Sequence, residues 1–224
     1  MPTANRRAFI PLALQALERQ SYPFLELVVI DDGTDPVGDL VQGHPRVRYV
    51  RSPPMQLGAK RNLAVQHSRG AVICQWDDDD WSGSMRLTSQ LSPLLDGHAD
   101  IVGLTPRHIL RLDDGGMFSP SKAEQLRSLG RVHPGTLLYW RFVWEIGAQY
   151  PPVQYSEDSS FLQATIAAGF RLHAIDGDGL WIYMLHGRNI YGSAIPSTWE
   201  PGAMPLGFNP ATLSSYQRAA RTLS

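Results

Sequence analysis

Two clusters of aspartates in this chain have the residue types and the positions of a cation site. Asp31 and Asp32 follow the apolar run LELVVI, and Asp77–Asp80 follow VICQW and precede a second tryptophan. In open α/β sheets, ligands bind beyond the carboxyl ends of the strands, so both clusters should lie along one sheet edge. Converging carboxylates are unfavourable unless a cation neutralises them. The clusters therefore predict a Mg²⁺ or Mn²⁺ site that is completed by a diphosphate-bearing ligand.

A solvated acidic turn is the alternative for each cluster, and it would be the default interpretation of a single aspartate pair. Four aspartates between two tryptophans, beside a second acidic strand end, favour the functional interpretation. Arg61 and Asn62 support it, because they lie in the first turns of a predicted helix after Gly58. Helix N-termini and arginines suit anionic and base-edge contacts, although a solvated basic helix face would explain these two residues equally well.

Asp158 is the candidate general base. It precedes Phe161 and Leu162 by three and four residues, which predicts that it shares their inward helix face. A carboxylate at a cleft wall can remove a proton from a substrate hydroxyl. Glu157 needs no such role, since acidic residues favour the first turn of any helix. His186 opens the loop HGRN after an apolar run, where a metal or phosphate role and a structural role are equally reasonable.

The composition limits the possible partners and the compartment. Hydrophobic residues make up 43% of the 224 residues and charged residues 18%, which allows a sizeable core. The formal net charge of −1 gives no electrostatic reason to expect nucleic acid or anionic membrane as the main partner. Cys74 is the only cysteine, which excludes an internal disulfide and a cysteine-rich zinc site. No apolar run approaches the roughly 20 residues of a membrane span, so we expect a cytoplasmic protein, with a peripheral location at the membrane face as the alternative.

The apolar patterns predict alternating strands and helices in the first half of the chain, which favours an open, mostly parallel α/β sheet flanked by helices. The second half is less regular. We expect one domain over residues 1–224, with a nucleotide-binding half at about 1–98 and an acceptor-binding half at about 99–224. Predicted helices cover 9–17, 36–42, 58–68, 84–95, 141–150, 156–170 and 209–223, and predicted strands cover 25–33, 47–52, 71–76, two segments within 99–112, and 180–185.

These motifs, taken in order, resemble those of the family 2 glycosyltransferases, which have the Rossmann-like GT-A fold and mostly invert anomeric configuration. The similar segments are MPTANR (1–6), VVIDDGT (28–34), GAKRNLA (58–64), WDDDDW (76–81), HPGTLLYWRFVWEIG (133–147), SEDSSF (156–161) and HGRN (186–189). The resemblance implies a hexosyltransferase-type enzyme that moves one sugar from a nucleoside diphosphate sugar, with uridine as the family-level expectation. The acceptor, whether a carbohydrate, a lipid-linked sugar or a small molecule, is not indicated.

The resemblance also assigns roles to single residues. It places Asp158 as the catalytic base, and Asp79, assisted by His186, as the ligand of a Mn²⁺ or Mg²⁺ ion. Donor-binding positions begin with Thr3, Asp31 and Arg61 at the base and Asp77 or Asp78 at the ribose. The remaining donor-binding positions in the matching motifs are Pro2, Asn5, Arg6 and Asp32.

Two departures from the family pattern matter. The family has an apolar central strand before the PTxNR motif, whereas Met1 stands directly on that motif. We therefore expect a missing or truncated first strand, since its loss would leave backbone groups in the sheet interior without partners. The QxxRW signature of processive synthases is absent, so we expect transfer of a single sugar.

Two other functions remain open at this point. A nucleotidyltransferase of related architecture would also need acidic metal ligands, but it usually has a glycine-rich phosphate loop near the N-terminus, and MPTANRR has no glycine. A non-catalytic nucleotide-sugar-binding protein would keep the shape of the site without turnover.

Overall fold

The computed structural model describes residues 1–190 and 194–223, and in these ranges strands and helices alternate along the chain. The strands are β1 (Pro2–Thr3), β2 (Leu27–Asp31), β3 (Val47–Arg51), β4 (Val72–Cys74), β5 (Trp81–Ser82), β6 (Ile101–Thr105), β7 (Ile109–Arg111), β8 (Gly116–Pro120), β9 (Leu138–Trp140), β10 (Leu172–Asp176), β11 (Trp181–Leu185) and β12 (Trp199–Pro201). The α-helices are α1 (Ile10–Glu18), α2 (Gly38–Val41), α3 (Leu57–His67), α4 (Arg86–Leu95), α5 (Lys122–Arg127), α6 (Glu157–Ala167) and α7 (Pro210–Ala220).

The first sheet is parallel throughout and has the order β1-β2-β3. Every residue of Leu27–Asp31 is buried, as expected for a parallel strand that is covered on both faces. This confirms the α/β prediction for the first half of the chain. Asp31 ends β2 beside Thr3 of β1, so the first acidic cluster lies at the carboxyl edge as predicted.

The rest of the chain forms two mixed sheets, with the orders β10-β6-β9-β4 and β12-β8-β7-β11-β5. In the first of these, β9 lies antiparallel between β4 and β6. In the second, β11 is parallel to β7 and antiparallel to β5. The mostly parallel arrangement therefore describes the first half better than the second. The sequence patterns did not predict β5, β8, β9, β10, β12 or α5, which are two to six residues long.

Most predicted helices are confirmed, with small differences in which side chains they bury. The segment predicted as a helix at 141–150 contains a π-helical turn, Val143–Gly147. Two apolar residues in the last turns of α4 and α6, Leu95 and Ile166, are 65% and 45% exposed. The predicted loop 186–193 lies only partly within the described residues.

A cavity of about 360 Å³ lies beside the short strand β1, between the edges of β2 and β4. Its lining includes Met1, Leu27, Val28 and Cys74 together with apolar side chains from α1, α3 and α4. The terminal amine of Met1 donates to the carbonyl of Val28 at 2.7 Å, and the carbonyl of Met1 accepts from Ile30 at 3.0 Å. These are the hydrogen bonds of a parallel ladder. The ladder thus leads directly into a space between two strand edges.

Among the described residues, no helix is both long enough and apolar enough to cross a membrane.

Candidate active site

The two tryptophans of WDDDDW fix the ends of the acidic loop in separate parts of the core. Trp76 is buried with residues of α1 and α4, and the guanidinium of Arg86 lies 5.0 Å from its ring centre. Trp81 packs edge-to-face against Phe208 at 5.6 Å in another cluster. Large buried aromatic groups supply much of the packing energy in a core. The loop between them is therefore held in place even though it carries four carboxylates.

Asp80 has a structural role that the sequence analysis did not assign. Its carboxylate accepts hydrogen bonds from Trp181 Nε1 and from the backbone N–H of Met184, both at 3.0 Å. Its carbonyl accepts a bond from the Tyr216 hydroxyl at 3.1 Å. Burial, together with the neighbouring carboxylates of the loop, raises the pKa of Asp80 well above its usual value. Asp80 thus ties the acidic loop to β11 and α7.

Asp78 and Asp79 are buried and share one guanidinium. Nη1 of Arg6 lies 2.9 Å from Oδ1 of Asp78 and 2.5 Å from Oδ2 of Asp79. The hydroxyl of Thr3 donates to Oδ2 of Asp78 at 2.6 Å. Burial raises the pKa of Asp78. For Asp79, burial acts in the same direction, but Arg6 and the hydrogen bond from His186 outweigh it and lower the pKa.

The predicted metal ligands Asp79 and His186 lie side by side, with Nε2 of His186 2.9 Å from Oδ2 of Asp79. Two neighbouring ligands about 2.1 Å from a common octahedral ion would be about 3 Å apart. The pair therefore fits a hard divalent cation whose other ligands are water and phosphate oxygens. In the present arrangement Nδ1 of His186 accepts from the N–H of Arg188 at 3.2 Å, so Nε2 carries the proton. The described residues contain no group of three or more histidine, cysteine or acidic side chains that could hold a metal ion by themselves.

Arg61 joins the acidic loop to the first turn of α6. Its Nε donates to Oε1 of Glu157 at 2.9 Å, and its Nη2 lies 3.1 Å from Oδ1 of Asp77. Burial by itself raises the pKa of Glu157, while Arg61 acts against this shift. Arg61 is almost fully buried, so its positive charge is used to hold two carboxylates at the same edge.

The relative burial of Glu157 and Asp158 is the reverse of what the sequence predicts. Glu157 is 3% exposed and faces Arg61, whereas Asp158 is half-buried. Asp158 was expected to lie inward with Phe161 and Leu162. It is only partly buried, but it lies close enough to Arg61 and His133 to act on their pKa values. Oδ1 of Asp158 accepts from the N–H of Ser159 at 2.6 Å. The half-buried position gives Asp158 access to solvent that Glu157 does not have.

Asp31 and Asp32 hold the loop that follows β2. Asp31 is completely buried, and its carboxylate accepts from the N–H groups of Gly33 and Val37, both at 2.9 Å, and from the hydroxyl of Tyr49 at 2.8 Å. These bonds occupy both of its oxygens.

Asp32 and Asn5 make further hydrogen bonds around this loop. Asp32 accepts from Met55 N–H at 3.0 Å and from Lys60 Nζ at 2.6 Å. The side chain of Asn5 accepts from the N–H of Thr34 at 2.7 Å. Pro2 and Thr3 form β1 at the same sheet edge. The structure thus brings the donor-side candidates together around the loops that follow β1 and β2.

His133 lies in this site and was not among the predicted residues. Its ring lies 4.7 Å from the ring of Trp181, and its Nδ1 accepts from the N–H of Gly135 at 3.2 Å. A side chain at Gly135 would meet both His133 and Oδ2 of Asp77, at 3.2 and 3.3 Å. Burial lowers the pKa of His133, while Asp158 and Asp77 act in the opposite direction. Only the HPG triplet in the acceptor-side segment could have drawn attention to it.

Comparisons with known proteins agree with this geometry. Residues 1–130, more than half of the chain, match the family model "Glycosyl transferase family 2". The chain is 23% identical over 206 residues to the uncharacterized glycosyltransferase EpsJ of Bacillus subtilis, which covers 82% of this chain and 59% of EpsJ.

Two solved structures share the fold. TarS of S. aureus in complex with UDP-GlcNAc has a TM-score of 0.64 at 17% identity over 82% of this chain and 56% of TarS. The mannosyltransferase PcManGT of Pyrobaculum calidifontis, in complex with GDP-Man and Mn²⁺, has a TM-score of 0.68 at 21% identity over 84% of this chain and 56% of PcManGT. The chain therefore spans less than two thirds of the length of these relatives. Because the family model matches more than half of its residues, the chain belongs to glycosyl transferase family 2.

Proposed function

We propose that this chain moves a single sugar from a nucleoside diphosphate sugar to an acceptor hydroxyl, with inversion at the anomeric carbon and with assistance from a divalent metal ion. One observation carries the proposal. Arg61 contacts both Asp77 of the acidic loop and Glu157, the residue next to Asp158. A donor-binding loop and a candidate base are thereby held at one sheet edge, which is the arrangement that a direct displacement needs.

On the donor side, we propose that Asp77 rather than Asp78 contacts the ribose. Asp77 is the most exposed of the four aspartates, whereas both oxygens of Asp78 already bind Thr3 and Arg6. Thr3, Asp31 and Arg61 are retained as the residues around the base. Because both carboxylate oxygens of Asp31 already accept hydrogen bonds, Asp31 supports the base pocket indirectly, by holding the loop that follows β2. Pro2, Asn5, Arg6 and Asp32 complete the donor side.

In the proposed reaction, Asp158 accepts the proton of the acceptor hydroxyl as its oxygen forms a bond to the anomeric carbon. The bond from that carbon to the diphosphate oxygen breaks on the opposite face, and the electron pair leaves with the nucleoside diphosphate. Single displacement of this kind inverts the anomeric configuration. Asp79 and His186 would hold the Mn²⁺ or Mg²⁺ ion, which when bound stabilises the charge of the leaving diphosphate.

The nucleotide and the acceptor are also matters of proposal. A uridine diphosphate donor agrees with the UDP-GlcNAc complex of TarS, and the GDP-Man complex of the mannosyltransferase makes guanosine the second choice. The acceptor is a carbohydrate, a lipid-linked sugar or a small molecule bound by residues of about 99–224. A location in the cytoplasm, at the membrane face if the acceptor is lipid-linked, remains a prediction.

A thermal melt with uridine, guanosine, thymidine and cytidine diphosphates, each with and without Mn²⁺, tests donor binding. A ligand at 100 times its dissociation constant adds roughly 2.7 kcal/mol to the free energy of unfolding. We expect a metal-dependent rise of the melting temperature with the uridine nucleotide. A cooperative melt that no nucleotide shifts would contradict donor binding by this chain.

Asp158→Asn tests turnover once the donor is known. Removing a general base typically slows a reaction by about 10²–10⁴-fold, so transfer or donor hydrolysis should fall by that factor while nucleotide binding is retained. Asp96→Asn, an exposed change at the end of α4, is the matched control and should leave both unchanged. Undiminished turnover in Asp158→Asn would remove Asp158 from the mechanism. Donor binding without any turnover in the wild type would favour a non-catalytic binding protein. Transfer of a nucleoside monophosphate from a nucleoside triphosphate to the acceptor, with release of pyrophosphate, would favour a nucleotidyltransferase.

A further inference from the structure

The candidate metal ligand Asp79 already has a cationic partner within the chain. Nη1 of Arg6 contacts Asp78 at 2.9 Å and Asp79 at 2.5 Å. Nη2 of Arg6 donates to the carbonyl of Arg188 at 3.4 Å, in the loop that begins at His186. One guanidinium thus connects both aspartates to the segment that carries the second candidate ligand.

Arg6 and His186 use the same oxygen of Asp79. Oδ2 lies 2.5 Å from Nη1 of Arg6 and 2.9 Å from Nε2 of His186. A divalent cation bound between Asp79 and His186 needs this oxygen as a ligand. It would also stand next to the positive charge of Arg6, in buried surroundings where like charges repel strongly. Arg6 and such a cation therefore cannot both keep close contact with Asp79.

We propose that Arg6 is a built-in counter-ion that competes with the divalent metal ion for Asp79, so that metal binding requires Arg6 to leave the Asp78–Asp79 pair. The inference rests on the proposed function only in taking Asp79 as the metal ligand. Its physical basis is that two adjacent buried and ionised carboxylates are unfavourable without a positive partner. Arg6 fills that need before the metal arrives. The displaced guanidinium stays beside the metal site, where its planar fork suits phosphate oxygens.

Arg7 provides a matched control in the next position of the chain. It pairs with Asp39, and it lies 3.7 Å from Asp35, in a cluster exposed to solvent. Arg7→Gln and Arg6→Gln therefore remove the same charge from neighbouring residues, but only Arg6→Gln changes the partners of Asp79. Any effect of net charge alone appears equally in both variants.

The experiment is a Mn²⁺ titration of the full chain without nucleotide, in which electron paramagnetic resonance measures free Mn²⁺. Compared with the wild type, we expect Arg6→Gln to bind Mn²⁺ at least about tenfold more tightly, because a repelling charge is removed from beside the site. Arg7→Gln should bind within about twofold of the wild type. Equal or weaker binding by Arg6→Gln, or equal tightening in both variants, would overturn the proposal.

A second measurement does not depend on the folding of a variant. Arginine-selective ¹⁵N NMR of the wild-type chain follows the guanidinium signals during titration with diamagnetic Mg²⁺. As Mg²⁺ saturates the site, we expect the Arg6 signals to move away from the chemical shifts of an ion-paired guanidinium. The Arg7 signals should stay in place. Arg6 signals that are unchanged at saturating Mg²⁺ would refute the competition.

Both measurements omit nucleotide, so their outcome is separable from that of the proposed function. A donor panel without any shift would contradict the proposed function and leave the metal titrations interpretable. Donor binding with a metal affinity that is insensitive to Arg6 would retain the proposed function and reject the counter-ion role.

Discussion

Nε of Arg61 donates to Oε1 of Glu157 at 2.9 Å, in a contact where neither side chain is more than 7% exposed. The bond joins α3, which follows the donor-side sheet, to the first turn of α6, which carries Asp158. Arg61 also reaches Asp77 at 3.1 Å. The relative position of the acidic loop and the candidate base therefore depends on one buried guanidinium.

Removing Glu157 from its buried ion pair with Arg61 should destabilise the fold more than removing an acidic residue from an exposed ion pair. Without Glu157, the buried charge of Arg61 keeps only the partly exposed Asp77 as its partner, so we expect Glu157→Ala to lower the free energy of unfolding by about 3 kcal/mol. Asp39→Ala breaks the exposed pair with Arg7 and should lower it much less, because solvent screens an exposed ion pair. Urea unfolding of both variants measures the difference. Equal losses of unfolding free energy would show that the buried ion pair stabilises the fold no more than the exposed one.

The acidic edge could be predicted from the sequence, but the separate role of each aspartate could not. Four identical residues in a row give no information on which side chain turns toward Arg6, Arg61 or Trp181, because the loop geometry decides it. The positions of Glu157 and Asp158 were predicted in reverse for a related reason. The helix period places Asp158 inward, whereas a tertiary partner, Arg61, draws Glu157 inward instead.

The sequence patterns did not predict the mixed sheets of the second half, and the reason is different. Strands such as β9 and β5 contain three and two residues, which is too short for a periodic pattern to develop. Their positions follow from long-range pairing, such as that of Leu138 with Cys74 and Val102. In contrast, β2 is a continuous apolar run and α3 is eleven residues long, and both were predicted.

His133 should make the stability of the fold depend on pH in the mildly acidic range. Burial lowers its pKa from the ordinary value of 6.5, so below pH 6.5 the unfolded chain takes up a proton that the folded chain does not. The free energy of unfolding should therefore fall as the pH falls below 6.5, by at most about 1.4 kcal/mol per pH unit from this residue. The loss ends once the pH is below the folded-state pKa.

His133→Asn tests this slope, because an asparagine oxygen can accept the same N–H bond from Gly135 as Nδ1 does. Urea unfolding from pH 7.5 to 5 should give a shallower dependence in His133→Asn than in the wild type. His98, which is exposed, is the control, and His98→Asn should leave the slope unchanged. Parallel curves for wild type and His133→Asn would exclude the buried histidine as the cause.

Gly58 permits the close approach of α3 to the segment before α6. A β-carbon at this position would lie 1.8 Å from the carbonyl oxygen of Pro151 and 3.2 Å from the side chain of Glu157. Because the nearest atom is a backbone oxygen, the two segments must separate to accept it. We expect Gly58→Ala to lower the free energy of unfolding by about 3 kcal/mol. Ala59→Gly, in the same turn, should cost only about 1 kcal/mol, and a similar cost for both would contradict the steric argument.

The cavity between β2 and β4 should accept an extended apolar segment. Met1 continues the ladder along β2, so residues placed before it would run beside Val28 and Leu27, both of which line the cavity. The amide of Gln75, a buried side chain whose nitrogen and oxygen have no partner among the described residues, also lines it.

Each apolar side chain buried in this cavity would contribute about 1.5–3 kcal/mol. An alternating valine–isoleucine segment fused before Met1 should therefore raise the free energy of unfolding by at least about 3 kcal/mol, as measured in urea. A glycine–serine segment of equal length replaces the buried terminal amine of Met1, whose pKa is lowered to about 5 by burial, with an amide, without filling the cavity. Equal stabilisation by both segments would attribute the gain to the loss of that buried amine and would contradict strand insertion.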